Sequence, residues 1–252
     1  FNGHGDDVTS AMFSPNGQRV LTAGRDKRAT IWELGTGKQL LSFYEQEDGV
    51  RTAAYSSDGL RVVTASYGKS ARVWDAITGK AIYALKGHSQ DLRNAQFSPD
   101  LGMVATASTD STARIWDIRG RAPMTFQSRA EINSVSLSPD GQRLLTTSID
   151  QTAFIWNART ERVQLFLQGH TGEVTYGTFS PNGQRVATAS VDRSVRIWNA
   201  VTGQTVLTLP GHPGAVHHVA YAPDGNRIVT AAADRLARIF DTRSGQLLQT
   251  LS

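Results

Sequence analysis

The sequence predicts an all-β fold of six four-stranded antiparallel blades, a six-bladed β-propeller, in one domain over residues 1–252. Three observations lead there. The first is a repeat: Trp32, Trp74, Trp116, Trp156, Trp198 and Phe240 stand 42, 42, 40, 42 and 42 residues apart. The second is a Thr that keeps the same steps, at 22, 64, 106, 146, 188 and 230. The third is that every unit divides into short segments bounded by turn residues, with no helix-length periodic stretch. Six units of about 42 residues fill the chain, and four short strands repeated radially give a propeller blade.

The fifth unit shows each element in order. Val174 to Phe179 reads as a first strand. It ends at Ser180-Pro181-Asn182-Gly183, where Pro presets φ and Gly accepts positive φ. Arg185 to Ser190, small and β-branched, reads as the second strand. A polar turn holding Asp192 leads to Ser194-Val195-Arg196-Ile197-Trp198, which alternates at period 2. Thr202-Gly203 turns the chain into Gln204 to Leu209, the fourth strand. The corresponding turn of unit 3 reads Pro99-Asp100-Leu101-Gly102, with Leu in the usual Gly position, and is expected to shift by one residue. Val8, Val50, Leu92, Ile132, Val174 and Val216 are expected to point into the blade stack, with blade 6 packing on blade 1.

Composition removes several classes. With no cysteine, disulfides, thiolate catalysis and Cys-ligated zinc are excluded. A 39% hydrophobic share with a net charge of +4 excludes a disordered chain, and no apolar run has the length of a membrane span. The expected location is the cytoplasm. Beginning at Phe1 rather than Met fits a piece of a longer protein.

The markers Gly87-His88, Ser138-Pro139-Asp140-Gly141, Asp110 and Trp116-Asp117 resemble WD40 repeats, and the likeness recurs in all six units. The resemblance implies a hydrogen-bond relay of His, Thr, Asp and Trp inside a blade. Unit 1 offers His4, Thr22, Asp26 and Trp32; unit 3, His88, Thr106, Asp110 and Trp116; unit 5, His170, Thr188, Asp192 and Trp198. Unit 6 offers His212, Thr230 and Asp234, with Phe240 for Trp. Unit 4 has Ser128 for His. Unit 2 has Gln46 for His and Gly68 for Asp, so its Thr64 and Trp74 are expected to lose their partners. His, Thr and Asp together also suggest a catalytic relay, but a catalytic centre has no reason to be copied into every blade.

Arginine repeats as well. Arg19, Arg61, Arg143, Arg185 and Arg227 follow the first turn, and Arg72, Arg114, Arg196 and Arg238 stand two before the aromatic. Packing of the stems and pairing with acids such as Asp75, Asp117 and Asp241 is one reading. A phosphate-binding ring is the other, and it lacks the exposed aromatics that grip bases. Gly35-Thr36-Gly37-Lys38 has neither the spacing nor the Ser/Thr of a phosphate loop. His217 and His218 are adjacent on a strand and point to opposite faces, so they do not chelate one ion.

Candidate binding residues follow from the alternation in each first strand. Residues flanking the inward apolar position read Asp7, Gly49, Asp91, Glu131, Glu173 and Ala215 before it, and Thr9, Arg51, Arg93, Asn133, Thr175 and His217 after it. A third set precedes the relay Asp: Arg25, Tyr67, Thr109, Ile149, Val191 and Ala233. In WD40 proteins these positions, on the narrower top face, commonly carry partner contacts. Arg25, Arg51, Tyr67 and Arg93, with Glu47, Asp48 and Asp91 among them, concentrate on units 1 to 3, where Arg and Tyr supply interface anchors. The expectation is a monomeric, non-enzymatic scaffold that needs no cofactor or metal and binds another protein or peptide there. Rivals are a cation or ligand held by Asp7, Asp91, Glu131 and Glu173, and nucleic acid on the arginines. The stretch Glu45-Gln46-Glu47-Asp48 is expected to form the most mobile of the six equivalent loops.

Overall fold

The computed structural model describes residues 3–44, 48–209 and 212–251, so Glu45, Gln46 and Glu47, with the mobility expected of that loop, lie outside the described residues. Among the described residues there are twenty-four strands and no helix. Every sheet has four strands in sequential antiparallel order. The chain forms two compact units, Phe1–Gln127 and Ser128–Ser252, each of three blades. The fold class is the six-bladed propeller predicted.

In blade 1, β1 (Val8–Phe13), β2 (Arg19–Gly24), β3 (Arg28–Glu33) and β4 (Gln39–Tyr44) form a meander. The turn into β2 is closed by the Gly17 amide donating to the Ser14 carbonyl at 2.8 Å. The Ser14 hydroxyl donates to Asn16 at 2.7 Å and accepts the Arg19 amide at 2.9 Å. Gly17 sits at φ +68°, the left-handed region that suits glycine. Unit 3 does not shift its turn: Leu101 takes the glycine position at φ +59°, and its amide still donates to Ser98 at 3.0 Å. Ser98, bonded to Asp100 at 2.5 Å and to the Met103 amide at 2.9 Å, holds the turn in register against that backbone cost.

Within each unit the core lies between consecutive blades. Leu21, Ala23, Ala29, Ile31 and Phe43 of blade 1 pack on Val50, Ala53, Tyr55, Val62, Trp74 and Ala76 of blade 2. Equivalent residues form the seams between blades 2 and 3, 4 and 5, and 5 and 6. A strand with both faces covered reads as nearly continuous small apolar residues, which is why Val62, Val63 and Ala65 are all buried. Val8 is a correction: it is exposed, unlike its equivalents Val50, Leu92 and Ile132.

Candidate interaction face

The relay fixes the loops at one end of each blade. In blade 5, the Trp198 indole, which only donates, gives its N–H to Thr188 Oγ1 at 2.8 Å. Thr188 then donates to His170 Nε2 at 2.7 Å, so Nδ1 carries the proton and donates to Asp192 at 2.8 Å. Asp192 also accepts the Thr171 amide at 3.0 Å and the Ser194 amide at 2.9 Å, tying the entering loop to the second turn of the blade. Blade 3 repeats this through His88, Thr106, Asp110 and Trp116 at 2.7–2.9 Å. Blade 1 does so through His4, Thr22, Asp26 and Trp32 at 2.7–3.1 Å. Burial raises the Asp110 and Asp192 carboxyls, but the hydrogen bonds they accept outweigh it and bring both to about 2. Burial lowers the His88 and His170 imidazoles against the pull of their aspartates, which favours the neutral ring the relay needs.

The eroded blades behave differently from one another. In blade 2, Trp74 still donates to Thr64 at 2.9 Å, so that pair survives without its His and Asp. Blade 4 keeps Trp156 on Thr146 at 2.9 Å. In blade 6 the expected link from His212 to Asp234 is not made. His212 Nε2 meets Thr230 at 2.8 Å, but Asp234 accepts from Arg238 Nη2 at 2.6 Å, and the buried Nδ1 of His212 has no partner among the described residues.

The chain then places two of the three candidate positions together in every blade. The amide of Arg25 donates to Asp7 at 2.9 Å, Tyr67 to Gly49 at 3.0 Å, Thr109 to Asp91 at 3.0 Å, and Val191 to Glu173 at 2.9 Å. Ile149 and Glu131, and Ala233 and Ala215, pair likewise. The third position is a β-bulge. The register of the first strand against the second skips Thr9, Arg51, Arg93, Asn133, Thr175 and His217, one residue in each of the six blades. A bulge leaves one residue out of the ladder and re-aims its side chain. Period-2 reading missed it: the next buried residue after Val50 is Ala53, three positions on rather than two.

The bulge residues do two kinds of work. Thr9 Oγ1 donates to the Val50 carbonyl of the next blade at 2.6 Å, and Thr175 Oγ1 to the Val216 carbonyl at 2.7 Å. Asn133 donates to the Val174 carbonyl at 3.0 Å and to Glu173 Oε1 at 2.9 Å, which links two candidate binding residues to each other. Arg51 does something else. Its guanidinium lies over the Tyr67 ring, 5.5 Å from the centroid, and donates to the Tyr67 hydroxyl at 3.3 Å. Gly49 sets this group beside blade 1: a Cβ there would come within 3.0 Å of the Arg25 carbonyl and 3.3 Å of the Tyr67 ring. Arg25, Asp48 and Asp91 are exposed, and Arg51, Tyr67 and Arg93 half-buried. Blades 4 to 6 present a plainer edge, with Ile149, Val191 and His217 exposed.

Among the described residues no three His, Asp or Glu side chains stand where they could hold one metal ion. Six of the nine repeated arginines are engaged within their own unit. Arg72, Arg114 and Arg196 lie over Trp74, Trp116 and Trp198 at 5.7–5.9 Å. Arg61, Arg143 and Arg185 donate to carbonyls of the following blade, of Leu101, Ala200 and Thr242.

A framework copied from blade to blade, under an edge whose side chains differ from blade to blade, is that of a β-propeller built from repeats. The family model of the WD domain, G-beta repeat, matches six times, at residues 1–33, 37–75, 79–117, 121–157, 161–199 and 203–241, and the chain belongs to the WD40 family. Propellers of this family are generally protein-interaction scaffolds and typically not enzymes. A comparison with curated proteins gives no match. No helix among the described residues is long and apolar enough to cross a membrane.

Proposed function

We propose that the protein is a non-catalytic scaffold whose bulge-bearing edge on blades 1 to 3 binds a protein or peptide segment that presents a carboxylate to Arg51. The observation that carries this reading is the Arg51–Tyr67 pair. Tyr67 holds the guanidinium in place, and no carboxylate lies within ion-pair distance of Arg51 or Arg25 among the described residues. An arginine already ordered loses less freedom on binding, and its planar fork matches a carboxylate. Arg93 and Arg25 flank the pair, and Asp48 and Asp91 add acceptors at the rim, where charges set specificity and on-rate.

The arginines expected to serve nucleic acid support that rival less, because six of the nine are bound to carbonyls or lie over indole rings. Selection from a random displayed peptide library tests the proposal. Binders enriched in Asp or Glu, and lost on Arg51→Ala, are expected. Binders without acidic residues, or equal capture by Arg51→Ala, would contradict it.

A further inference from the structure

The seam between blades 5 and 6 closes differently from the seam between blades 4 and 5, at the end that carries the first turn of each blade. Arg143 of blade 4 uses both arms on blade 5: Nη1 donates to the Ala200 carbonyl at 3.0 Å and Nη2 to the Gly183 carbonyl at 2.7 Å. Arg185 of blade 5 repeats only the first bond, from Nη1 to the Thr242 carbonyl at 2.9 Å. The Gly225 carbonyl, which matches that of Gly183, is taken instead by the Thr242 hydroxyl at 2.8 Å. Blades 4 and 5 have Ala158 and Ala200 at that place, with no hydroxyl to give. Thr242 therefore releases the Nη2 arm of Arg185. Two more exchanges act in the same direction. Asn182 stands where blade 4 has Asp140. Its Oδ1 accepts the Ser180 hydroxyl at 2.8 Å and the Gln184 amide at 3.0 Å, so an NH₂ donor replaces the second oxygen of the acid. Arg243, exposed, stands where blade 5 has Val201. One exchange runs the other way: Asp224 follows Asn182 in the next blade, and Arg227 faces it at 3.6 Å.

These side chains line one cleft of about 520 Å³ between the two turns, with Asn182, Gln184, Arg185, Asn226, Thr242 and Arg243 on its walls and Asp224 beside them. We propose that this cleft is a binding site for a phosphate group, free or carried by a small ligand. Two guanidinium groups outweigh the one carboxylate, which already faces Arg227, so the cleft selects an anion. The arrangement of donors selects its shape. A carboxylate is best met by both prongs of one guanidinium fork, and Arg185 has one prong tied to Thr242. The remaining donors come from separate segments, Asn182 in one turn and Arg243 after the third strand of blade 6, and so approach from several sides, as the oxygens of a tetrahedral group require. The bond from Nη1 also holds Arg185 in place, so its free arm loses little freedom on binding. The volume lies within the range of about 300–1,000 Å³ usual for small-molecule sites and leaves room for more than the phosphate itself. Gln184 and Asn226 are placed to meet hydroxyls of the remainder. No residue of this cleft belongs to the edge around Arg51.

Amide NMR titration of the 252-residue chain with inorganic phosphate and, separately, with ribose 5-phosphate tests the proposal, with sodium chloride adjusted to hold the ionic strength constant. Saturable shifts are expected at the amides of Asn182, Gln184, Gly225, Asn226 and Arg243. Arg243→Gln, at an exposed position, is expected to weaken binding about tenfold, the worth of one hydrogen bond to a charged group. Thr242→Ala keeps every charge and gives blade 6 the residue that blades 4 and 5 carry. It lets Arg185 close on Gly225 as Arg143 closes on Gly183, so a loss of about tenfold is expected there too, with unchanged circular dichroism. Tighter binding of ribose 5-phosphate assigns the site to an organic phosphate, and tighter binding of inorganic phosphate to the free ion; either supports the proposal. Shifts that fail to saturate, no shift at these amides with either probe, or wild-type binding by Arg243→Gln or Thr242→Ala would each overturn it.

Discussion

Arg238 donates to Asp234 at 2.6 Å, and this contact withdraws from His212 the carboxylate that His170 and His88 retain. The substitution pattern of blade 6 explains it. Phe240 removes the indole donor, so Thr230 has one partner fewer, and the buried Arg238 needs an acceptor more than a neutral imidazole does. Replacing Arg238 by Thr, the residue at the matching place in blade 1, frees Asp234. The expected result is a His212 Nδ1–H proton resonance that moves downfield to the position of the His170 signal. An unchanged His212 resonance would show that Asp234 is held away by something other than Arg238.

Leu101 occupies a backbone conformation that Gly17, Gly59, Gly141, Gly183 and Gly225 occupy in the other blades. A non-glycine residue in the left-handed region costs about 1–2 kcal/mol, partly offset because glycine loses more freedom on folding. The side chain is half-exposed, so little packing is lost with it. Leu101→Gly is expected to stabilise the protein by about 1 kcal/mol, read as a higher urea midpoint. Gly141→Leu in blade 4 is expected to move the midpoint the other way.

Acid stability follows from the relays. His88 and His170 titrate below their ordinary value of 6.5 in the folded protein. The unfolded chain therefore binds protons first, and their contribution is complete above pH 6.5 and falls as pH drops through and below it. Asp110 and Asp192, at about 2 against 3.8, add stability that is present above pH 3.8 and lost as pH falls toward 2. Thermal unfolding across pH 2–8 is expected to show the midpoint declining below pH 6.5 and more steeply below pH 3.8. Asp110→Asn with Asp192→Asn is expected to flatten the lower limb.

Much of this was legible in the sequence because repetition averages out local ambiguity. One Ser-Pro-Asn-Gly turn is a weak signal; six turns in step with five tryptophans are not. The relays of blades 1, 3 and 5 could be read because His, Thr, Asp and Trp keep their spacing. What escaped was set by geometry that residue types do not encode. The bulge at Arg51 and its equivalents breaks the period by one residue, and only the burial of Ala53 three places after Val50 reveals it. Leu101 looked like a reason for the turn to slip, but the hydrogen bonds of Ser98 outweigh a single strained φ. The loss of Asp234 to Arg238 is a competition between two neighbours that spacing alone does not rank. Val8 has the apolar character of a covered residue, and residue type alone does not show that it is exposed.

The central claim is that the Arg51–Tyr67 pair forms the energetic centre of the binding edge, while Asn133, tied to Glu173 and to the Val174 carbonyl, is framework. Titration calorimetry of an acidic peptide selected on the wild-type protein, repeated on Arg51→Ala, Tyr67→Phe and Asn133→Ala, tests it most directly. The account predicts at least a tenfold weaker affinity for Arg51→Ala, equal to about 1.4 kcal/mol. It predicts a smaller loss for Tyr67→Phe, which keeps the ring and removes the hydroxyl, and no change in affinity for Asn133→Ala. Equal affinity for wild type and Arg51→Ala, or a loss confined to Asn133→Ala, would contradict it.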